Sequence, residues 1–290
     1  MSRGLGDVYK RQVFQIIENA DTAILALQNG EVDAYQMTPQ QVKKLDLDAS
    51  NLSTYSYSEG RVGYLEINCN RVTDEKVRKA LLYAMDRKAM DDAAFESSEY
   101  YSIPYTFLPT NSQFYTEDGV EKYEQDVDKA KSMLEDAGVS GLKLKLGYMS
   151  SDAVQSAQAL LIQEQLKEVG VTVELAGGDG TAIANAMKDP DNEYDMYLGG
   201  YIMGIDPDTF SSLFENDGAY NYMHYSGYDT IDQLFEEGRS ELDESARKET
   251  YAKLQAAVQD TGAFYPIISN NKILVLSLIH ISEPTRHSLI

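Results

Sequence analysis

Residues 62–90, VGYLEINCNRVTDEKVRKALLYAMDRKAM, constrain the fold more than any other stretch of this chain. Val62, Tyr64, Glu66 and Asn68 alternate with Gly63, Leu65, Ile67 and Cys69, and the β-branched and aromatic content suits a strand. Asn70 to Thr73 break that period. Thr73 is the predicted N-cap of a helix, with Asp74 and Glu75 in its first turn, where the helix dipole favours negative charge. Val77, Ala80, Leu81, Ala84 and Met85 recur at i, i+3, i+4, i+7 and i+8 as one apolar stripe, with Arg78, Lys79, Asp86, Arg87 and Lys88 mostly off it. The pattern predicts a strand feeding an amphipathic helix.

The wording of this stretch says more than its period. An aromatic-led strand ending in L-x-I-N, a short loop and then V-R-K-A-L-x-Y-A-M-D-R resembles the extracytoplasmic solute-binding proteins of peptide-type ABC transporters, family 5, the oligopeptide- and dipeptide-binding group. Three later stretches are similar to the same family: G-E-V-D-A before Thr38-Pro39, I-P-Y-T-F-L-P at 103–109, and Y-x-x-D-x-x-K-A-K-x-M-L-x-x-A-G from Tyr123 to Gly138. The resemblance implies an α/β fold of the periplasmic-binding-protein type II kind, built of two lobes, in which 62–68 crosses between them. On that basis 13–61 is expected to be a fragment of the first lobe, 62–268 a nearly complete second lobe, and 269–275 a return strand to the first.

The ends read differently. MSRGLGDVYKRQ, 1–12, and LSLIHISEPTRHSLI, 276–290, look like translated sequencing-adapter read-through, the other reading being disordered tails. Both are set aside as artefactual or disordered, as a fusion scar would be, and the natural protein is expected to extend further on both sides.

Between them the remaining elements follow from pattern. VFQII, 13–17, reads as a strand, and Asp21 as the cap of a helix through Ile24, Leu25 and Leu27. Thr38-Pro39-Gln40-Gln41 has the spacing of a capping box with Pro at the first helical position. Residues 95–125 read as ordered loop, since Pro104 and Pro109 forbid a continuous helix. Asp126 to Ala137 reads as a helix. LKLKLGYM at 142–149, a helix over 153–169 with Val154, Ala157, Leu160, Leu161 and Val169 inward, and VTVEL at 171–175 predict a parallel strand pair joined by a crossover. A short helix over 181–189, a strand at 194–201, helices over 228–237 and 243–259, and a strand over 263–275 complete the series.

Composition excludes several functions. Asp and Glu number 47 against 25 Lys and Arg, a net charge of −22 that repels nucleic acid and anionic membranes. Hydrophobic residues at 43% support a packed core. Cys69 is the single cysteine, so it forms no internal disulfide and is read as a small buried hydrophobe. Between the two ends His224 is the only histidine, which rules out a Cys/His zinc site there. No G-x-S-x-G or G-x-x-x-x-G-K-[ST] motif occurs. Gly177 to Gly180 lacks dinucleotide-loop spacing and is read as a turn. The acids from Asp189 to Asp195 lack calcium-loop spacing and are read as a solvated loop. No catalytic residue, metal ligand or cofactor is assigned.

YLGGYIMGIDPDTF, 197–210, is the candidate binding segment. Gly199-Gly200 permits close backbone approach, and Tyr201 offers a flat apolar face with a polar tip. On pattern alone it could equally be a strand end and loop filling a core. The resemblance implies that this loop lines the ligand cleft, with its aromatic on the ligand backbone and an acid holding an α-ammonium. Tyr194-Asp195, Gly200, Asp206-Pro207 and Phe210 match the family wording. Tyr201 stands in place of Trp, and Gly204 stands where the ammonium-binding acid would be. Asp206, two residues on, is a substitute. The candidate ligand-binding residues are Gly200, Tyr201, Ile202, Met203, Gly204, Asp206, Tyr222 and His224.

The function implied is the substrate-binding component of an ABC importer. It would bind peptides or a related small solute in an interlobe cleft and deliver them to membrane permease subunits. Such a protein is extracytoplasmic (periplasmic or a cell-surface lipoprotein), is a monomer when complete, and binds no nucleic acid. Two alternatives are a secreted acidic hydrolase using a carboxylate pair and an adhesive surface protein.

Overall fold

The computed structural model describes residues 13–17, 19–47, 51–95, 98–202, 204, 206–225, 227 and 229–277. The expected artefactual ends, except Leu276 and Ser277, lie outside the described residues, as does the candidate site residue Met203. Two compact units divide the chain: Tyr57–Asn271 is the larger, and the residues up to Ser56 and from Lys272 onward form the smaller.

The smaller unit holds helix α1 (Ala20–Gln28), strand β1 (Ala34–Met37), helix α2 (Pro39–Val42) and most of β2 (Leu52–Ser58). The cap of α1 is Asn19 rather than Asp21, because the Asn19 side chain accepts the Thr22 N–H at 3.0 Å. Leu25 faces solvent, while Ala23, Ile24, Ala26 and Leu27 are buried. The capping box of α2 is complete: Thr38 Oγ1 accepts from Gln41 N, and Gln41 Oε1 accepts from Thr38 N. Residues 13–17 form no strand. Val13, Phe14 and Ile16 are 77%, 89% and 92% exposed, and among the described residues no strand pairs their backbone.

The larger unit continues with β3 (Arg61–Ile67), α3 (Glu75–Tyr83), α4 (Arg87–Phe95), β4 (Tyr101–Ser102), α5 (Val127–Asp136), β5 (Lys143–Met149), α6 (Ala153–Glu168) and β6 (Thr172–Gly178). Helix α7 (Gly180–Met187), β7 (Met196–Ile202), α8 (Ser211–Phe214), α9 (Asp229–Ser240), α10 (Glu244–Asp260) and β8 (Phe264–Ser277) follow. Within this unit the sheet runs β8-β3-β7-β5-β6. Strands β5 and β6 are parallel, with Leu144 beside Val173, and α6 forms the crossover the sequence predicts. Strand β3 is antiparallel to both β7 and β8. Lying inside the sheet, it is buried from Val62 to Ile67 on both faces, as central strands are.

One sheet face packs Leu65, Ile67, Leu146, Met196 and Leu198 against α3 to α6. The other packs Val62, Tyr64 and Phe264 under Phe107, Phe210, Phe214, Phe235 and Tyr251. Fully burying each such side chain contributes about 1.5–3 kcal/mol.

The central helix departs from the sequence pattern in three respects. Its cap is Asp74, whose carboxylate accepts the Lys76 N–H at 2.8 Å, rather than Thr73. It is also two helices. Asp126 N donates to Tyr83 O, Gln125 Nε2 to Ala84 O and the Tyr265 hydroxyl to Met85 O. Asp86 Oδ1 then accepts the Ala89 N–H and starts α4. Outside partners thus satisfy the carbonyls that a continuing helix would have used. Finally, Arg78 and Arg87 are buried, only 3% and 5% exposed. Arg78 donates to the carbonyls of Val72, Thr73 and Thr261, and Arg87 to those of Pro266, Lys122 and Tyr123.

Elsewhere Leu160, expected inward on α6, is 55% exposed, and Gln155, Gln158 and Gln165 are buried with Ala159, Ile162 and Leu166. Gly177 and Gly178 are the end of β6 rather than a turn, and Asp179 caps α7 by accepting the Ala182 N–H. Strand β8 runs past the expected boundary at 275: Leu276 pairs with Ala34, and Ser277 N donates to Asp33 O at 2.8 Å. Cys69 lies just beyond β3, partly buried; its N–H donates to Met223 O at 2.7 Å, and burial pushes its thiol up to about 11.

Candidate functional site

Antiparallel register places three cross-strand pairs on one face of β3 and β7: Val62 with Tyr201, Tyr64 with Gly199, and Glu66 with Tyr197. Side chains directly opposite one another stand about 4.5–5.5 Å apart at Cβ. Gly199 leaves room for the Tyr64 ring, which would lie 2.6 Å from any Cβ there. Tyr64 in turn packs on Phe264 with ring centroids 4.7 Å apart.

From this face a row of tyrosine rings leads outward. Tyr197 meets Tyr222 edge-on at 5.8 Å, Tyr222 meets Tyr220 at 6.4 Å, and Tyr220 meets Tyr201 at 5.4 Å. Tyr222 is 6% exposed and Tyr220 39%, so the row runs from the interior to solvent. Burial raises the hydroxyls of Tyr201 and Tyr222, the latter to about 12. Tyr197, Tyr201 and Tyr222, all raised, remain neutral hydrogen-bonding groups at physiological pH.

The opposite face of the same strand pair carries Gly200, where a Cβ would sit 2.0 Å from Nη2 of Arg61. The Arg61 guanidinium packs over Gly200, and a side chain at 200 would displace it. Ile202 ends β7, 56% exposed. Gly204 has φ +78°, in the left-handed region. An acid at that position would be strained by its backbone, which accounts locally for the absent carboxylate.

Asp206 caps the short 3₁₀ turn Pro207–Phe210 by accepting the Asp208 N–H at 3.0 Å. It also accepts from Arg247 Nη2 at 3.1 and 3.2 Å, so its charge is directed to α10. Phe210 is buried among Phe107 and its neighbours. His224 takes a left-handed backbone, φ +47°, and its Nε2 donates to Met187 O at 2.8 Å at the end of α7. The structure therefore joins Tyr201 and Tyr222 through Tyr220, and directs Asp206 and His224 to other partners. Asp195 is not a solvated acid: it is 7% exposed, pairs with Arg71 Nε at 2.7 Å and accepts the Lys145 N–H at 2.7 Å. Among the described residues no group of three His, Cys, Asp or Glu could hold a metal ion.

Sequence reasoning missed Glu66. It is fully buried, and neither carboxylate oxygen has a hydrogen-bond partner among the described residues. Burial holds its carboxyl well above the usual range. A signal was available: one charged residue in phase with Val62 and Tyr64 in a strand otherwise free of charge over 62–67.

Comparison with known proteins gives a consistent result. The family model described as Bacterial extracellular solute-binding proteins, family 5 Middle, matches residues 7–222, more than half of the chain. The solved ABC transporter substrate binding protein CtaP of Listeria monocytogenes superposes with a TM-score of 0.84 at 38% identity, covering 91% of this chain and 54% of that one. The oligopeptide-binding protein AppA of Bacillus subtilis is 25% identical over 87% of this chain and 50% of its own. A dipeptide-binding protein of Escherichia coli is 26% identical over 86% of this chain and 48% of its own. The chain spans about half the length of the curated relatives it matches.

Proposed function

Because the chain belongs to the bacterial extracellular solute-binding proteins of family 5, we propose that it comes from the substrate-binding component of an ABC importer that takes up peptides. The observation that carries this reading is the wall formed by β7 and its following loop. There Gly199 lets the Tyr64 ring come close to the backbone, and a row of tyrosine rings leads from buried Tyr222 to Tyr220 at the surface. Such surfaces suit a ligand with a regular amide backbone, because each ring offers stacking area and a hydroxyl at once. The named relatives are binding proteins for oligopeptides and dipeptides, which supports the same class of solute.

Gly200, Tyr201, Ile202, Met203, Gly204, Asp206, Tyr222 and His224 are proposed to lie at or beside the ligand. The roles differ: Tyr201 offers contact area, Tyr222 packs behind it through Tyr220, and Asp206 and His224 hold the loops that carry them. The mechanism needs no covalent chemistry. Ligand stabilises a closed form through its differential affinity for that form, and the loaded protein then docks on permease subunits outside the cytoplasm. No described helix is long and apolar enough to cross a membrane.

Equilibrium binding of a random peptide pool by the intact protein, followed by mass spectrometry of the retained peptides, tests the reading. Retained peptides of unchanged mass are expected; cleaved peptides would indicate a hydrolase and overturn it. Tyr201→Ala is expected to weaken every retained peptide by about 1–3 kcal/mol, the scale of removing a large contact face. Unchanged affinities in that variant would place the ligand elsewhere.

A further inference from the structure

The two rings at the outer end of the tyrosine row have supports of different kinds. Tyr201 stands on β7 and is held by the sheet. Tyr220, with its ring centroid 5.4 Å from that of Tyr201, stands in neither helix nor strand. It belongs to a turn over 215–221. Tyr220 N donates to Ser212 O of α8 at 2.9 Å, and within the turn Gly218 N and Asn221 Nδ2 both donate to Glu215 O, at 2.9 and 3.2 Å. Where Glu215 sits therefore decides where Tyr220 sits. Helix α9 fastens that point. Asp232 Oδ1 accepts the Asn216 N–H at 3.0 Å, and Arg239 Nη2 donates to Glu215 Oε1 at 2.7 Å. The same guanidinium sends Nε to Asp208 Oδ1 at 2.8 Å, in the 3₁₀ turn that follows β7, and Nη1 to Glu236 Oε2 at 3.0 Å.

Resting on the peptide-binding reading above, we infer that Arg239 is a positioning residue of the site. It holds the segment after β7 and the turn bearing Tyr220 at one spacing, so that Tyr201 and Tyr220 meet the ligand as a preformed pair. One exposed ion pair contributes little. Here a planar fork makes three charge-assisted bonds, two of them to separate chain segments, and a fork of fixed shape sets the distance between what it holds. The bonds to those segments are also the better shielded: the Asp208 and Glu215 side chains are 34% and 29% exposed, against 72% for Glu236. Arg239 lies in the last turn of α9, where the helix dipole favours a cation. Without the guanidinium, Asp208, Glu215 and Glu236 would be like charges around one point, and their repulsion would spread the two segments. A preformed ring pair raises affinity because its ordering is complete before ligand arrives.

Two measurements on the intact protein test the inference. Without ligand, hydrogen exchange read by mass spectrometry should be faster in Arg239→Met than in the wild type over 206–222, and unchanged over β3 and β5. Equal exchange over 206–222 would overturn the inference. The second measurement uses as its probe one synthetic peptide identified in the retained pool. Arg239→Met should weaken its binding about tenfold in the wild-type background, and about twofold or less in the Tyr201→Ala background, because residues that act through one contact are not additive. The full loss in both backgrounds would mean that Arg239 acts on the fold and not through Tyr201. No loss in either would mean that the ring pair needs no such support. Both results overturn the inference and leave the peptide-binding reading standing. A pool that yields no retained peptide, or a Tyr201→Ala variant of unchanged affinity, removes the wall itself, and both fall. Should Arg239→Met not fold, Arg239→Lys carries the same cycle with a loss of about threefold expected, since an ammonium keeps the charge but cannot span the fork.

Discussion

Replacing Arg78 by Met lowers the stability of the larger unit by an expected 3–4 kcal/mol or about that. The Arg78 side chain is buried on α3, and its guanidinium makes four N–H bonds to three backbone carbonyls. Nε and Nη2 reach Thr261 O at 3.2 and 2.9 Å, and Nη1 reaches Val72 O and Thr73 O at 3.0 Å each. These carbonyls belong to the loop entering α3 and to the turn leaving α10, segments 183 residues apart in the case of Thr261. Met keeps the stem's packing but removes every donor. At least two carbonyls then stay buried and unpaired, at about 1–3 kcal/mol each. Arg78→Lys should recover part of the loss, because one ammonium cannot span the same fork. Chemical denaturation measures both; a loss below about 1 kcal/mol for Met would show that water reaches these carbonyls.

Asp91→Asn is expected to act in the opposite direction, raising stability at pH 7 by about 2–4 kcal/mol. Asp91 lies buried on α4, facing α6. Burial pushes its carboxyl up to about 8, with Asp92 and Asp86 adding to the rise, while Gln158 and Arg87 oppose it. One oxygen accepts from Gln158 Nε2 at 3.4 Å and the other has no partner among the described residues. The folded chain therefore keeps a proton that the unfolded chain gives up near pH 4. Asp91's contribution to stability is greatest below that pH and is lost as pH rises toward about 8, where the folded form also ionises. Asn removes this slope, less some loss for an amide N–H without an acceptor. Unfolding curves at pH 5 and pH 8 should show a smaller pH dependence in the variant; equal slopes would mean that Asp91 is solvated in the folded protein.

Both residues show why the fold was more legible than its polar interior. The strand over 61–67, the crossover through β5, α6 and β6, and the two final helices follow from apolar period, which the sheet and its two covering layers enforce. Period alone could not reveal that Arg78 and Arg87 point inward, because their partners are carbonyls distant in sequence. The break at residues 84–86 was hidden for the same reason: Tyr265, Gln125 and Asp126 take up the carbonyls there, and none is local to α3. On α6 the glutamines at 155, 158 and 165 hold the buried positions where Leu160 was expected. Met149 N, Asp91 and Asp86 N supply partners that make amides acceptable inside.

The candidate site divides along the same line. Gly200, Tyr201 and the Asp206-Pro207 turn were recognisable because they are consecutive and their local geometry explains them. Glu66 meets Tyr197 only once β3 is paired with β7, across about 130 residues of chain. His224 was grouped with the loop by proximity in sequence to Tyr222, and its bond to Met187 O takes it to α7 instead.

Cys69 gives the molecule a built-in clock. It is the chain's single thiol, and a value of about 11 leaves roughly one molecule in a thousand or fewer as thiolate at pH 7.5. Oxidants and alkylating reagents should therefore react slowly while the end of β3 stays seated against Met223. Opening of that junction should speed the modification, and a labelling time course read by intact mass should show a single mass increment. Its rate should fall when ligand holds β3 and β7 together. An unmodified protein thus carries its own reporter of how firmly the end of the central strand is held, with no dye or engineered residue added.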